Sequence, residues 1–180
     1  MLYNYNEALK LYKDDYNIKK AIESKKLFKI EKGLYAASSN IHYLSVVSKK
    51  YPYATISGHS AYYYHNLTDI IPKKIELCTN RHSTRIINLK IKQIMMKDEL
   101  YDIGRTTIEY EGNTINIYDK ERLLIDLARN KNKMGYDLYK EIISSYRNIV
   151  NSLDMRKIEE YLTFFPNADR LFEIIQDEVF

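Results

Sequence analysis

Hydrophobic residues recur at helical spacing in two short segments near the start of the chain. Residues 5–13 predict one helix, and residues 16–24 predict a second helix with Ile18, Ala21 and Ile22 on its apolar face. Two short apolar alternations follow at 27–30 and 34–36, and Gly33 between them can supply the positive φ of a tight hairpin. The pattern therefore predicts helix, turn, helix and hairpin, which is the order of a winged helix.

The rest of the pattern predicts strands first and helices afterwards. A helix is expected over 38–50, a short strand over 53–56 and a helix over 61–67. Further strands are expected at 74–79, 89–96, 106–110 and 114–118, and further helices at 119–129, 136–150, 154–165 and 168–179. We predict an α+β fold, with an N-terminal winged helix-turn-helix domain over 1–40. A larger α+β domain over 41–180 follows, with a small antiparallel or mixed sheet and C-terminal helices.

Composition narrows the class of protein. A chain of 180 residues with 45% hydrophobic content can bury one core and a small appended module. Cys78 is the single cysteine, which excludes an internal disulfide and a cysteine-based zinc site, and its apolar neighbours indicate a buried strand position. No signal segment or membrane-length apolar run is seen, so we expect a cytoplasmic protein without a membrane partner.

Charge is distributed unevenly along the chain. Residues 17–32 carry six lysines against two glutamates, a local charge of +4. Residues 73–97 carry seven basic residues against one glutamate, which gives +6, whereas residues 151–180 sum to −4. Two basic segments and an acidic end favour a polyanionic partner over a mixed solvated surface.

The first basic segment supplies the candidate DNA contacts. Asn17, Lys20 and Ser24 lie on the polar face of the second predicted helix, where Asn17 and Lys20 would face the bases of double-stranded DNA. The remaining lysines would contact the phosphate backbone; they are Lys19, Lys25, Lys26, Lys29 and Lys32. The alternative is a small cap of helices and hairpin on the main domain, with its lysines merely solvated.

The second basic segment is a candidate nucleic-acid patch of the main domain. Its members are Lys73, Lys74, Arg81, Arg85, Lys90 and Lys92. The alternative interpretation is a sheet edge that lysines protect against aggregation.

No catalytic, metal or cofactor site is predicted. The four histidines do not share a helix face at metal-ligand spacing, and the chain has no glycine-rich phosphate loop. Glu76, Asp98 and Glu99, with Lys90 and Lys92 nearby, are the alternative: a metal-dependent nuclease site. Further along, Asp119, Glu121, Arg122 and Asp126 fit helix capping and surface ion pairs better than an active site.

Three segments of the chain carry a resemblance to a known family. They are YNIKKAIESKKLFKIEKGLYA (16–36), ATISGHSAYYYHNLTDIIPKKIELCTN (54–80) and NIYDKERLLIDLARNKNKMGYDLYKEIISSYR (116–147). In order and spacing they resemble the AbiEi antitoxins of type IV toxin–antitoxin systems, which act in abortive phage infection. The family pattern comprises a wing ending in Gly-x-Tyr, a Ser-x-x-Ser-Ala helix, a Pro-x-x-Ile strand and an Asp-x-Glu-Arg helix. Family members usually carry a further helix before the helix-turn-helix. In this sequence the first predicted helix begins at Tyr5 with no such helix before it. We therefore expect either that the main domain completes the core of the winged helix or that its DNA affinity is reduced.

The resemblance implies a function that composition alone does not. It implies a non-enzymatic repressor of its own promoter that also counters an AbiEii-like nucleotidyltransferase toxin, without forming a stable complex with it. The alternative is a stand-alone winged-helix transcription regulator.

Overall fold

Residues 1–52 build helices around a small antiparallel sheet. The elements are β1 (Leu2–Asn4), α1 (Tyr5–Tyr12), α2 (Asp15–Glu23), β2 (Phe28–Glu31), β3 (Leu34–Ala36) and α3 (Tyr43–Lys50). The strands lie in the order β1-β3-β2, so β3 pairs with both neighbours. The structure is a computed structural model that describes residues 1–110 and 112–180. Both expected helices and the hairpin are present, whereas β1 was not predicted.

Side-chain caps explain why the first two helices begin where they do. Asn4 Oδ1 accepts the backbone N–H of Glu7 at 2.9 Å, and the Glu7 carboxylate accepts the N–H of Asn4 at 2.7 Å. Asp14 caps α2 by accepting the N–H of Asn17 at 2.7 Å. Lys13 lies between the helices with a positive φ of 76°. The local sequence therefore ends one helix and starts the next within two residues.

The central strand β3 has a core on each face. Tyr35 packs with Ala8, Ile18, Ala21 and Leu27 in the core of α1 and α2. Leu34 and Ala36 point to the opposite face, as alternation along a strand requires, and pack with Leu2 and with Val46 of α3. The helix that follows the hairpin thus covers the second face of the sheet.

This packing sets the bounds of unit 1, one of the two compact units formed by the described residues. Unit 1 comprises Met1–Pro52 and Ile108–Ile115, and unit 2 comprises Tyr53–Thr107 and Asn116–Phe180. The sequence placed the boundary after residue 40, but α3 belongs to unit 1 because Val46 packs on the sheet. Within unit 1, Asn113 Nδ2 donates to Ser45 Oγ at 3.2 Å, and the rings of Tyr110 and His42 meet edge to face. Residues from later in the chain therefore contact α3 and its N-terminal cap within unit 1.

Unit 2 is built on a mixed sheet followed by helices. Its strands are β4 (Thr55–Ile56), β5 (Ile75–Asn80) and β6 (Ile91–Met96), together with half of β7 (Arg105–Tyr110) and half of β8 (Asn113–Tyr118), in the order β6-β5-β4-β8-β7. Its helices are α4 (Gly58–Tyr64), α5 (Asp98–Tyr101), α6 (Lys120–Arg129), α7 (Tyr136–Asn148), α8 (Met155–Leu162) and α9 (Ala168–Val179). The predicted α+β class is confirmed, and in the described part of this unit the short α5 and a 3-10 turn at Lys131–Lys133 have no counterpart in the prediction. No helix within the described ranges has the length and apolar character needed to cross a membrane.

Strands β5 and β6 are parallel, so the sheet is mixed, which is one of the two alternatives that the sequence left open. Ile75 pairs with Ile91 and Asn80 with Met96, so the intervening loop 81–90 returns the chain to the same end of the sheet. Gln93 anchors this loop: its Oε1 accepts the N–H of Ile86 at 2.7 Å, and its Nε2 donates to the carbonyl of Thr84 at 3.2 Å. β4 is antiparallel to β5 and parallel to β8.

Buried tyrosines tie the helices of unit 2 to α6. The Tyr62 hydroxyl donates to the carbonyl of Leu123 at 3.0 Å, and the Tyr146 hydroxyl donates to the carbonyl of Lys120 at 2.9 Å. Burial raises the pKa of both phenols well above their usual value. Both hydroxyls therefore stay neutral and serve as internal donors.

Arg122 is fully buried at the centre of unit 2, which corrects the expectation of a surface ion pair. Its guanidinium donates to Asp126 at 3.1 Å and to the carbonyls of Leu100 and Ile103 at 2.7 and 2.8 Å. It also lies 4.6 Å from the ring of Tyr118 and 4.8 Å from that of Phe165. Asp119, by contrast, caps α6 as expected, accepting the N–H of Arg122 at 2.9 Å. Residues 119–122 therefore organise the interior of unit 2.

Candidate nucleic-acid interface

The polar face of α2 and the β2–β3 turn present a group of exposed lysines. Lys19 and Lys20 lie on α2, Lys25 and Lys26 directly follow it, Lys29 lies on β2 and Lys32 in the turn. All six are exposed, and no ion pair involving them is found among residues 1–110 and 112–180. We call these six residues the lysine face. Their charges are available to a partner because no internal carboxylate neutralises them.

Three carboxylates of unit 1 are engaged elsewhere, whereas Glu23 of α2 is exposed among the lysines and has no ion pair within residues 1–110 and 112–180. Glu31 forms an ion pair with Lys50, which raises the pKa of that lysine, and Glu7 pairs with Lys49 at 2.7 Å. The hydrogen bond from Lys49 lowers the pKa of the Glu7 carboxyl, so Glu7 stays ionised. Asp15 accepts the Tyr5 hydroxyl at 3.0 Å. These contacts reduce the competition that acidic groups offer to a bound polyanion.

Two turn geometries place lysines at the ends of these elements. Gly33, with a φ of 75°, closes the hairpin and leaves Lys32 at its tip. Lys25 has a φ of 56°, a region that residues with a Cβ rarely adopt, where helices commonly end in glycine. A lysine held in this conformation next to Lys26 turns the chain directly into β2.

Asn17 has a structural role alongside its predicted one. Its side-chain Nδ2 donates to Asp14 at 3.0 Å, and its backbone N–H donates to the same carboxylate. One amide hydrogen and the side-chain oxygen of Asn17 remain for a base edge. Ser24 ends α2, with its hydroxyl donating to the carbonyl of Ala21 at 3.2 Å.

Sequence reasoning missed Tyr16, which is 72% exposed in the first turn of α2. An aromatic residue on the polar face of an amphipathic helix was the available signal, because the apolar face was already complete. Its ring and hydroxyl can contact a thymine methyl group or a phosphate.

The structure divides the second basic segment instead of clustering it. Lys73, Lys74 and Lys90 lie where β5 and β6 begin, and Ile75 donates its N–H to the carbonyl of Lys90 at 2.9 Å. Arg81 lies at the other end, where its N–H donates to the carbonyl of Met96 at 2.8 Å. The two ends are roughly 20 Å apart at the usual rise of a strand.

The remaining two residues of that segment have different surroundings. Arg85 is exposed in the loop 81–90, beside Ile87 and Leu89, which are 93% and 90% exposed. Lys92 lies on the edge strand β6 and pairs with Glu76 at 2.8 Å. A lysine on an edge strand is also what protection against edge pairing predicts.

The carboxylates proposed for a nuclease do not assemble a metal site. Glu76 accepts the N–H of His59 at 3.0 Å and pairs with Lys92, whereas Asp98 and Glu99 are exposed on α5. In the part of the chain that the structure describes, no three His, Cys, Asp or Glu side chains are placed to hold a metal ion. Cys78 is buried as expected, and burial raises the pKa of its thiol.

Comparison with known proteins identifies a structural neighbour but no family. No protein-family model matches the chain, and no curated protein sequence matches it. The fold is similar to the crystal structure of the RV2827C protein from Mycobacterium tuberculosis, with a TM-score of 0.63 and 14% sequence identity. The alignment covers 99% of this chain and 72% of that one. At this identity, the similarity concerns the fold alone.

Proposed function

We propose that unit 1 is a winged helix that binds double-stranded DNA, and that the protein represses its own promoter and acts as an antitoxin. One observation carries the DNA-binding part: the order β1, α1, α2, β2, β3 with the sheet order β1-β3-β2 presents the lysine face on the second helix and the wing. In a helix-turn-helix, the second helix enters the major groove. A solvated cap explains the six exposed lysines less well, because it gives no reason for their placement on these two elements.

The proposed contacts divide into positioning and reading. Lys25 and Lys26 at the end of α2, with Lys29 and Lys32 of the wing, would bind phosphates on either side of the groove, as would Lys19. Lys20, Asn17, Ser24 and Tyr16 would meet base edges or the adjacent backbone. Phosphate contacts then provide affinity, and the smaller polar set provides sequence preference.

Binding of the full chain to its own upstream DNA tests this proposal. We expect fluorescence anisotropy to show tighter binding to that fragment than to a scrambled duplex of equal length. With about five phosphate contacts, the slope of log K against log salt should be roughly −4.5. Equal affinity for the two duplexes, or a salt slope near zero, would contradict a repressor that uses the lysine face.

The antitoxin part of the proposal rests on the resemblance to AbiEi proteins. Unit 2 supports it because this unit has its own mixed sheet, buried arginine network and helical core, far more than a dimerisation appendage requires. We infer that unit 2 opposes an AbiEii-like nucleotidyltransferase toxin without a stable complex. The protein would act in the cytoplasm, where its promoter and the toxin's targets are found.

Co-expression with an AbiEii-like toxin tests the antitoxin part. The full chain and its Lys19→Ala/Lys25→Ala/Lys29→Ala variant, both transcribed from an unrelated promoter, should restore growth equally, since repression then plays no role. Substitution is preferable to truncation at residue 40, because that cut separates α3 from the sheet it covers.

Each other outcome of the co-expression has a distinct meaning. Rescue by the parent chain alone would return the winged helix to the antitoxin mechanism. Failure of both chains, at equal expression, would refute antitoxin activity and favour a stand-alone transcription regulator.

A further inference from the structure

A cavity of about 690 Å³ lies within unit 2, on one face of the larger sheet. Its floor includes Glu76 and Cys78 of β5 beside Lys92 and Ile94 of β6, which alternation places on the same face. Residues of α4, α6 and the start of α7 complete its lining. This volume is within the range of small-molecule sites.

The charges that line the cavity favour an anion. Both lining carboxylates are already paired, Glu76 with Lys92 at 2.8 Å and Asp126 with Arg129 at 2.8 Å. Lys97 and Lys133 also line it, and within residues 1–110 and 112–180 neither forms an ion pair. An incoming anion therefore meets two uncompensated ammonium groups and no unpaired carboxylate.

An unpartnered hydroxyl adds a second, independent observation. Ser57 is 95% buried and lines the cavity, yet its Oγ has no hydrogen-bond partner among the described residues. Buried polar atoms are nearly always paired, so an unpartnered hydroxyl at a cavity wall is available to a ligand. Ser57 can donate to or accept from such a ligand.

The rest of the lining suits a flat apolar ring. Ile94, Met96, Met134 and Leu138 are partly exposed and lie around the cavity. Thioethers adapt to planar ligands and pack favourably against aromatic rings. A ligand that matches the whole lining therefore combines an aromatic ring, hydroxyl groups and an anionic end.

We propose that this cavity binds a nucleoside phosphate. Lys97 and Lys133 hold the phosphate, the side chains of Met96, Met134 and Leu138 contact the base, and Ser57 bonds a polar group of the ligand. The same chemistry is offered by a free nucleotide and by the terminal nucleotide of an RNA. The site goes beyond the DNA-binding and antitoxin proposals and does not depend on the lysine face.

Calorimetry on the full chain tests the site. The probes are the four ribonucleoside monophosphates, adenosine, inorganic phosphate and a five-nucleotide RNA. We expect at least one monophosphate to bind at micromolar to millimolar concentration and more tightly than adenosine or inorganic phosphate. Lys97→Ala/Lys133→Ala should weaken this binding about tenfold or more, whereas the control Arg156→Ala/Arg170→Ala, which removes the same charge from exposed positions outside the cavity, should not.

A second variant keeps the test independent of charge. Ser57→Ala should weaken binding several-fold without lowering the urea midpoint of the unliganded protein, because the hydroxyl that it removes has no internal partner. If the RNA competes with the monophosphate and its binding is lost in the Lys97→Ala/Lys133→Ala variant, the ligand is the terminal nucleotide of an RNA. If monophosphate binding is weakened in the double variant while the RNA does not bind, or binds the parent chain and the variant equally well, the ligand is the free nucleotide.

Three results would overturn the inference. They are no binding of any nucleotide at millimolar concentration, equal affinity for inorganic phosphate, and nucleotide binding that the Lys97/Lys133 substitutions leave unchanged. Because every variant retains the lysine face, loss of DNA binding and loss of this site are distinguishable.

Discussion

Replacing Lys19, Lys25 and Lys29 with alanine is expected to weaken binding to the upstream DNA about 100-fold or more at roughly 0.1 M salt. Each lysine that contacts a phosphate releases about one counterion, so the salt slope should also fall by roughly 2.7. The three side chains are exposed and form no internal ion pair in the described ranges, and the loss should therefore reflect DNA contacts and not misfolding. Anisotropy titrations at several salt concentrations measure both quantities.

A matched triple variant provides the control. Lys140, Arg156 and Arg170 are exposed on unit 2, and their replacement removes the same formal charge. If DNA is attracted only by overall charge, both triple variants should lose affinity and salt dependence equally. Equal losses would therefore remove the assignment to α2 and the wing, whereas a loss confined to the first variant would support it.

Arg122→Met is expected to destabilise the protein by about 3–5 kcal/mol, the usual cost of removing one partner from a buried ion pair. Methionine fills similar space but leaves the carbonyls of Leu100 and Ile103 without their donor and removes one of the two arginines that pair with Asp126. For a chain of this length, that loss lowers the melting temperature by roughly 10 °C. Urea unfolding followed by circular dichroism measures the change.

Arg129→Met is the control for the arginine network. Arg129 pairs with the same carboxylate at 2.8 Å and lies 4.6 Å from the Phe165 ring, but its side chain is 31% exposed. Water can solvate the polar groups that the Arg129→Met substitution leaves without their partner, so we expect the free energy of unfolding to fall by about 1 kcal/mol. Similar losses of stability in the two variants would show that the contribution of Arg122 to stability does not depend on its burial.

For α6, the sequence predicted the helix cap correctly but did not predict the burial of its arginine. Asp119 was correctly assigned as a helix cap, because capping depends on residues within one turn. Arg122 and Asp126 read as a surface pair at i and i+4, since nothing local shows that α5, α8 and the sheet close over them. Burial of a charged residue is a tertiary property, and the carbonyls of Leu100 and Ile103 that make it tolerable come from a distant segment.

The two basic segments show the same limit. The lysine face lies on a helix and its following hairpin, which local pattern predicts, so its members are neighbours in space as in sequence. Residues 73–97 instead span two parallel strands, whose pairing depends on contacts far along the chain. Sequence proximity therefore suggested one patch where the fold has separate groups. β1 was missed because three residues show too little alternation to identify a strand.

Residues 108–115 give unit 1 a consequence for synthesis on the ribosome. Unit 1 includes this segment, but 55 residues of unit 2 are translated between Pro52 and Ile108. At typical elongation rates of about 5–20 residues per second, the segment is made roughly 3–11 seconds after Pro52. A nascent chain therefore presents the lysine face before Asn113 can bond to Ser45 of α3, and a transcript broken before codon 108 yields a product whose first unit lacks this segment.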